Sequence, residues 1–212
     1  VVIGVDSKKA ERILKSLYRP LYITGIPLVT TTVETAEIIK YASNSFLATK
    51  ITFINEIANL CEKVGANIQD VSKAMGLDER IGPKFLNVGP GYGGSCFSKD
   101  VKAFSFTGKR YGTSLSIVDA VDKSNSNRPK FIAKKITKYF SKKIKGKKFS
   151  LLGLSFKPNT DDIRNSVSIM IGNILIKQGA KIFAYDPQAI NNTKKNFPKF
   201  NFSKSAYDSC KN

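Results

Sequence analysis

Thr31-Thr32-Val33-Glu34-Thr35-Ala36-Glu37-Ile38-Ile39-Lys40-Tyr41-Ala42-Ser43-Asn44 opens the longest regular stretch of the chain. The stretch runs without glycine or proline to Val64-Gly65. Thr31 followed three residues later by Glu34 fits a capping box, and Gly65 suits the left-handed position beyond a helix end. The spacing predicts one helix from about Val33 to Val64. Its apolar residues, among them Ile38, Phe46, Ile51, Ile54, Ala58 and Leu60, cover more than one face, so heavy burial is expected. Lys40 and Asn44 stand at i, i+4 and share a face, with small Ala42, Ser43 and Ser45 around them. Two readings are open: a solvated face, or an ammonium and an amide aimed at one ligand oxygen.

Before this helix, Val1 to Asp6 reads as a strand and Leu28 to Thr32 as another. Ala10, Ile13, Leu14 and Leu17 between them form an amphipathic pattern, expected to stop at Pro20. After the helix, Asn67 caps a shorter one ending near Gly76. A polar segment from Asp78 to Asn87 leads to Gly89-Pro90-Gly91-Tyr92-Gly93-Gly94-Ser95-Cys96-Phe97-Ser98-Lys99-Asp100. Glycines at such density let the backbone turn through positive φ and approach a ligand. A thiol at the start of the next helix, read as Ser98 to Arg110, meets unpaired N–H groups and a positive dipole end. Both favour the thiolate. A buried inert cysteine after an ordinary turn is the other reading. Asp100 reaches back to the same pocket or simply caps the helix dipole; the spacing allows either.

Ser114 to Tyr139 is read as one long connecting helix bent at Pro129, and Lys142 to Lys148 as a linker. Phe149 to Phe156, a polar loop, Val167 to Lys177 and Lys181 to Tyr185 then form strand–loop–helix–strand. Loops after such strands bind phosphates. The first strand leads into Gly153-Leu154-Ser155-Phe156, which is not a G-x-G-x-x-G fingerprint, and the loop carries Lys157 and Arg164 instead.

Composition removes several chemistries. The 212 residues contain no histidine, which excludes Ser-His-Asp triads, His bases and most zinc sites, and no metal site is expected. Acid–base work falls to Lys, Asp, Glu or Tyr. Three scattered cysteines argue against a disulfide framework and for a reducing, cytoplasmic setting. No run of about 18 apolar residues is present, so no membrane span is expected. The net charge of +19 would suit a basic nucleic-acid-binding module. Only six of the 35 basic residues are arginine, however, the usual bidentate reader, and the lysines cluster on one helix face and the linker. No nucleic-acid partner is expected.

Three motifs occur together: Lys40-x-x-x-Asn44, Gly91 to Asp100, and Phe156-Lys157-x-x-Thr160-x-Asp162-x-Arg164. In order and spacing they resemble the nucleotide-sugar dehydrogenases, the UDP-glucose/GDP-mannose dehydrogenase family, over nearly the whole chain. The resemblance implies a mainly α middle domain followed by an incomplete α/β Rossmann-like domain. Residues 1–32 would be the tail of an NAD-binding Rossmann domain, 33–146 the central dimerisation domain and 147–212 part of the UDP-binding domain. On this reading the chain is an internal fragment and makes no NADH alone. The implied activity is a two-step oxidation of the 6-hydroxyl of UDP-glucose by NAD, GDP-mannose or a UDP-N-acetyl sugar being the alternatives. Cys96 would be the nucleophile, forming a thiohemiacetal and then a thioester. Lys40 and Asn44 would stabilise oxyanions, and Asp100 would orient Lys40 or the hydrolytic water. Phe85, Leu86, Asn87, Gly91, Tyr92, Gly93, Phe156 and Lys157 match substrate-binding positions. Arg80 matches an arginine that reaches a neighbouring subunit's site. Lys99 and Arg164 match the cofactor side, and a homodimer through the central helices is implied.

Overall fold

The computed structural model describes residues 1–211. Strand β1 (Val2–Gly4) and β2 (Val29–Thr31) pair in parallel, Ile3 opposite Thr30, across helix α1 (Lys8–Tyr22). Four helices follow: α2 (Val33–Val64), α3 (Ile68–Leu77), α4 (Phe97–Arg110) and α5 (Ser116–Tyr139). The remainder is β3 (Lys148–Leu152), α6 (Val167–Lys177), β4 (Lys181–Tyr185), α7 (Ile190–Asn196), β5 (Asn201–Phe202) and α8 (Ala206–Cys210). Its three strands form one parallel sheet in the order β3-β4-β5. The expected division into a helical centre and a parallel α/β unit is therefore present.

Local chemistry accounts for the boundaries, with corrections. The cap of α2 is Thr32, not Thr31: its hydroxyl oxygen accepts the Thr35 N–H at 3.2 Å. Thr31 is instead held in the β1–β2 ladder. At the other end Gly65 adopts φ +75° and its N–H returns to the Cys61 carbonyl. Helix α1 runs through Pro20 to Tyr22 rather than stopping there. The ring removes one hydrogen bond near the helix end, and the Ile23 N–H still closes the last turn on the Arg19 carbonyl at 3.1 Å. Helix α5 likewise continues through the buried Pro129. Strand β3 ends at Leu152, short of the expected Phe156, because Gly153 turns at φ +91°.

Two cores organise the molecule. Ala48, Tyr92, Val101, Val118 and Val121 join α2, α4 and the first half of α5. Ile144, Leu154, Ile169, Ile182 and Ala184 centre the second core, to which α5 adds Ala133. Helix α5 thus belongs to both cores and holds the two parts together. Helix α2 is not buried all round as expected: Phe46, Phe53 and Leu60, seven residues apart, are 66%, 48% and 56% exposed. The helix has more apolar faces than this chain alone covers.

Asp186, just after β4, is buried and ties the sheet together. Its Oδ2 accepts the N–H groups of Leu154 (2.7 Å) and Ser155 (3.2 Å), and its Oδ1 those of Gln188 (2.8 Å) and Ala189 (2.7 Å). Burial pushes this carboxyl up, but the four N–H donors together outweigh burial and hold it below the ordinary value. A depressed carboxyl stabilises the fold above its unfolded pKa, and that contribution is lost as pH falls through the folded one. Acid unfolding is therefore expected to steepen below about pH 4. Asp186→Asn should flatten that slope in thermal melts taken against pH.

Candidate active site

The glycine loop is clamped from below by two helices. The Gly89 N–H donates to Asn55 Oδ1 of α2 at 2.9 Å, and the Gly89 carbonyl accepts from Arg128 Nε of α5 at 3.3 Å. Arg128 also donates to the Asn55 carbonyl (3.2 Å) and to Asn59 Oδ1 (2.6 Å). Asn125 pairs with the backbone of Tyr92 in both directions, accepting its N–H at 3.0 Å and donating to its carbonyl at 3.1 Å. None of these four residues was expected from the sequence. Their spacing is the one available signal: Asn55 and Asn59 stand at i, i+4, and Asn125 and Arg128 at i, i+3.

From above, the loop is met by the segment between β3 and α6. The Gly94 N–H donates to the Arg164 carbonyl at 2.9 Å, and Asn165 Nδ2 to the Gly94 carbonyl at 3.2 Å. A Cβ on Gly93 would lie 2.2 Å from the Asn165 carbonyl oxygen, and one on Gly94 2.6 Å from the Phe156 ring. These glycines serve the contact between the two parts of the chain as much as the turn itself.

Cys96 emerges at the N-cap of α4, exposed, with no side-chain cap of its own. One turn on, the Asp100 N–H donates to the Cys96 carbonyl at 2.8 Å. The Asp100 side chain is buried, and its Oδ2 accepts Asn44 Nδ2 at 2.7 Å across from α2. Its Oδ1 lies 3.3 Å from Lys99 Nζ. The structure thus pairs Asp100 with Asn44 across α2 and α4, one turn along α4 from the exposed Cys96. Lys40, one turn earlier on α2, is exposed beside Gly4 and Tyr41. Among the described residues Asp100 pairs with Lys99 and not with Lys40.

A cleft of about 630 Å³ opens beside the loop, lined by Phe85, Asn87, Gly91, Tyr92, Phe156 and Lys157 among others. Gly93 also borders it. Phe85 holds φ +66°, a left-handed conformation costly for a bulky residue, with its ring edge-on to Phe97 at 6.2 Å. Lys157 Nζ sits 5.4 Å over the Phe156 ring. Leu86 does not line the cleft: its side chain is 2% exposed and its carbonyl accepts Ser72 Oγ at 2.7 Å. Arg80 points to solvent, paired with Asp78 through Nη2 at 2.6 Å. Arg164 makes a like pair with Asp162 at 2.7 Å, which holds that carboxyl below its usual value.

Tyr92 is buried in the loop's core and its hydroxyl has no hydrogen-bond partner among the described residues. Burial, and then the Asp122 charge, push its ionisation upward. Tyr92→Phe should therefore leave the fold as stable or stabilise it by up to about 1 kcal/mol, read by urea unfolding. A loss of more than that would mean the hydroxyl is bonded in solution.

Comparison with known proteins fits this geometry. Residues 34–127 match the model of the central domain of the UDP-glucose/GDP-mannose dehydrogenase family, and residues 150–212 match its UDP binding domain. The chain belongs to that family. It is 47% identical over 212 residues to a UDP-glucose 6-dehydrogenase of Rhizobium meliloti, covering 99% of this chain and 48% of the relative. It is 46% identical over 199 residues to the UDP-glucose 6-dehydrogenase YwqF of Bacillus subtilis, covering 94% and 44%. The chain spans about half the length of the curated relatives it matches. Among solved structures, a UDP-glucose dehydrogenase from Pyrobaculum islandicum superposes with a TM-score of 0.91 at 34% identity, over 96% of this chain and 46% of that one. A UDP-D-ManNAc dehydrogenase from Pyrococcus horikoshii gives 0.77 at 26% identity, over 88% and 44%.

Proposed function

We propose that these residues form the central and UDP-binding parts of an NAD-dependent UDP-glucose 6-dehydrogenase, which oxidises UDP-glucose to UDP-glucuronate. One observation carries this reading: an exposed cysteine at a helix N-terminus, with the Asp100–Asn44 pair one turn below it and a lysine-bearing cleft alongside. The division at residues 1–32, 33–146 and 147–212 is part of the same reading. UDP-glucose is preferred to GDP-mannose or a UDP-N-acetyl sugar because the relatives at 46–47% identity are named for it, whereas the UDP-D-ManNAc dehydrogenase stands at 26%.

Cys96 would add through Sγ to the aldehyde carbon, and the aldehyde oxygen would take the negative charge. The Asn44 amide, which donates one N–H to Asp100, would stabilise that oxygen with its other N–H, joined by Lys40 one turn earlier on α2. Oxidation of the adduct leaves an acyl–sulfur bond, which water breaks to give the carboxylate and the free thiol. Lys157 suits the substrate's pyrophosphate and Phe156 its apolar wall. NAD⁺, when bound, supplies the hydride acceptor for both oxidations. Lys99 and Arg164, exposed cations now paired with Asp100 and Asp162, would hold its phosphates. The activity assay uses the complete reading frame. Limiting UDP-glucose with excess NAD⁺ should yield about two NADH per sugar; no NADH would reject this substrate.

The open face of α2 supports a homodimer built on Phe46, Phe53 and Leu60, from whose partner Arg80 would enter the site. Sedimentation equilibrium should give a dimer that Phe53→Glu dissociates. A parent chain that stays monomeric at high concentration would reject this. No helix of the described residues is long and apolar enough to cross a membrane, and a cytoplasmic setting is part of the proposal.

A further inference from the structure

Open α/β sheets take ligand phosphates on backbone N–H groups at the carboxyl ends of their strands. Here that end opens into a crevice of about 850 Å³, bordered by Gly153, Ser155, Lys157, Asp186 and Gln188. Yet four of its N–H groups are already taken. Two belong to the exit of β3 and two to the exit of β4, and all four converge on the Asp186 carboxylate. A side chain of the protein stands where an anionic ligand group would otherwise sit.

The consequence runs along the chain. Ser155 is one residue before Phe156 and two before Lys157. The Ser155 hydroxyl donates to the Lys157 carbonyl at 2.9 Å, and the Phe156 N–H to the Asp162 carbonyl at 3.0 Å. The Phe156 ring then fills the space that Gly94 leaves empty, two residues before Cys96. So the carboxylate fixes a turn, the turn fixes the ring and the lysine, and these form one wall of the cleft beside the cysteine loop.

We propose that Asp186 is a positioning residue for the substrate cleft: as an internal anion at the strand ends, it sets the turn that holds Phe156 and Lys157 against the Gly91–Gly94 loop. This rests on the substrate reading above only for what the cleft binds.

The test uses the 212-residue chain with Asp186→Asn, which keeps one accepting oxygen, and Asp186→Ala. Amide hydrogen exchange is measured without ligand, at a temperature where both variants are folded. Exchange at Leu154, Ser155, Phe156 and Gly94 should quicken about tenfold or more, while the interiors of β3, β4 and α6 stay protected. UDP-glucose affinity, by calorimetry, should fall by a similar factor. Added formate, which restores a carboxylate in the space left by Asp186→Ala, should recover part of both. Unchanged exchange at the loop, or quickening spread evenly over the whole α/β part, would overturn the proposal. So would weakened affinity with the loop still protected. If the parent chain itself does not bind UDP-glucose, the exchange and formate results alone decide the role of Asp186, and the substrate reading is decided by the NADH assay above. If Asp186→Ala does not fold, Asp186→Asn carries the same comparison.

Discussion

Cys96→Ser is expected to lower turnover of UDP-glucose by at least about a thousandfold in the complete reading frame, since removing a nucleophile costs that much or more where it acts covalently. The reason lies in the geometry. Cys96 is exposed at the positive end of a 14-residue helix, where its carbonyl anchors the first turn and its side chain caps nothing. A serine there keeps the shape and the backbone hydrogen bonds, so stability should not change. What it loses is sulfur chemistry: a hydroxyl is a far weaker nucleophile than a thiol, and an oxygen ester hydrolyses less readily than an acyl–sulfur bond. The measurement is a steady-state rate with excess NAD⁺, together with a thermal melt. Turnover within tenfold of the parent, at equal stability, would remove Cys96 from the chemistry. The reaction would then have to use water directly, with Asp100 and Asn44 as its remaining guides.

How much of this could be read from the residues depended on the range of the interactions. Helix α2 was legible from end to end because its limits are local: no breaker between Val33 and Val64, and a glycine at the αL position beyond. The same holds for α6 and β4, whose periods are strong. Pro20 does not end α1 because a proline in the last turn costs one hydrogen bond, not the helix. The clamp on the glycine loop was invisible for a different reason. Asn55, Asn125 and Arg128 act on backbone groups 33 to 39 residues away in sequence, and no local pattern encodes that. Leu86 sits in a motif whose neighbours line the cleft, yet its own side chain faces the core; alternate residues of an irregular loop need not share a face. The open side of α2 marks the limit of reading one chain alone, since hydrophobic spacing announces burial without saying against what.

Gly93→Ala should be the most damaging glycine-to-alanine change among the described residues. The added carbon would stand 2.2 Å from the Asn165 carbonyl oxygen and 3.0 Å from its carbon. Both atoms are backbone, so no side chain can swing aside. Asn165 is itself at φ +52° and pinned through its side chain to the Gly94 carbonyl, so its segment has little freedom to retreat. Relief has to come from parting the glycine loop from the β3–α6 segment. That breaks the Gly94–Arg164 hydrogen bond and withdraws Phe156 from the loop. Overpacking of this kind costs about 3 kcal/mol, at the upper end of the usual range because the neighbour is rigid. Gly89→Ala is the matched control: nothing lies within 4 Å of where its methyl group would stand, and its φ is not in the left-handed range. Urea unfolding should show a large loss for the first and little for the second. UDP-glucose binding should follow the same order, because the contact that the methyl group forces open is the one that seats Phe156, which lines the cleft with Lys157, against the glycine loop. Equal, small losses for both variants would mean that the loop and the α/β part are not held together as closely as the Gly93–Asn165 contact requires.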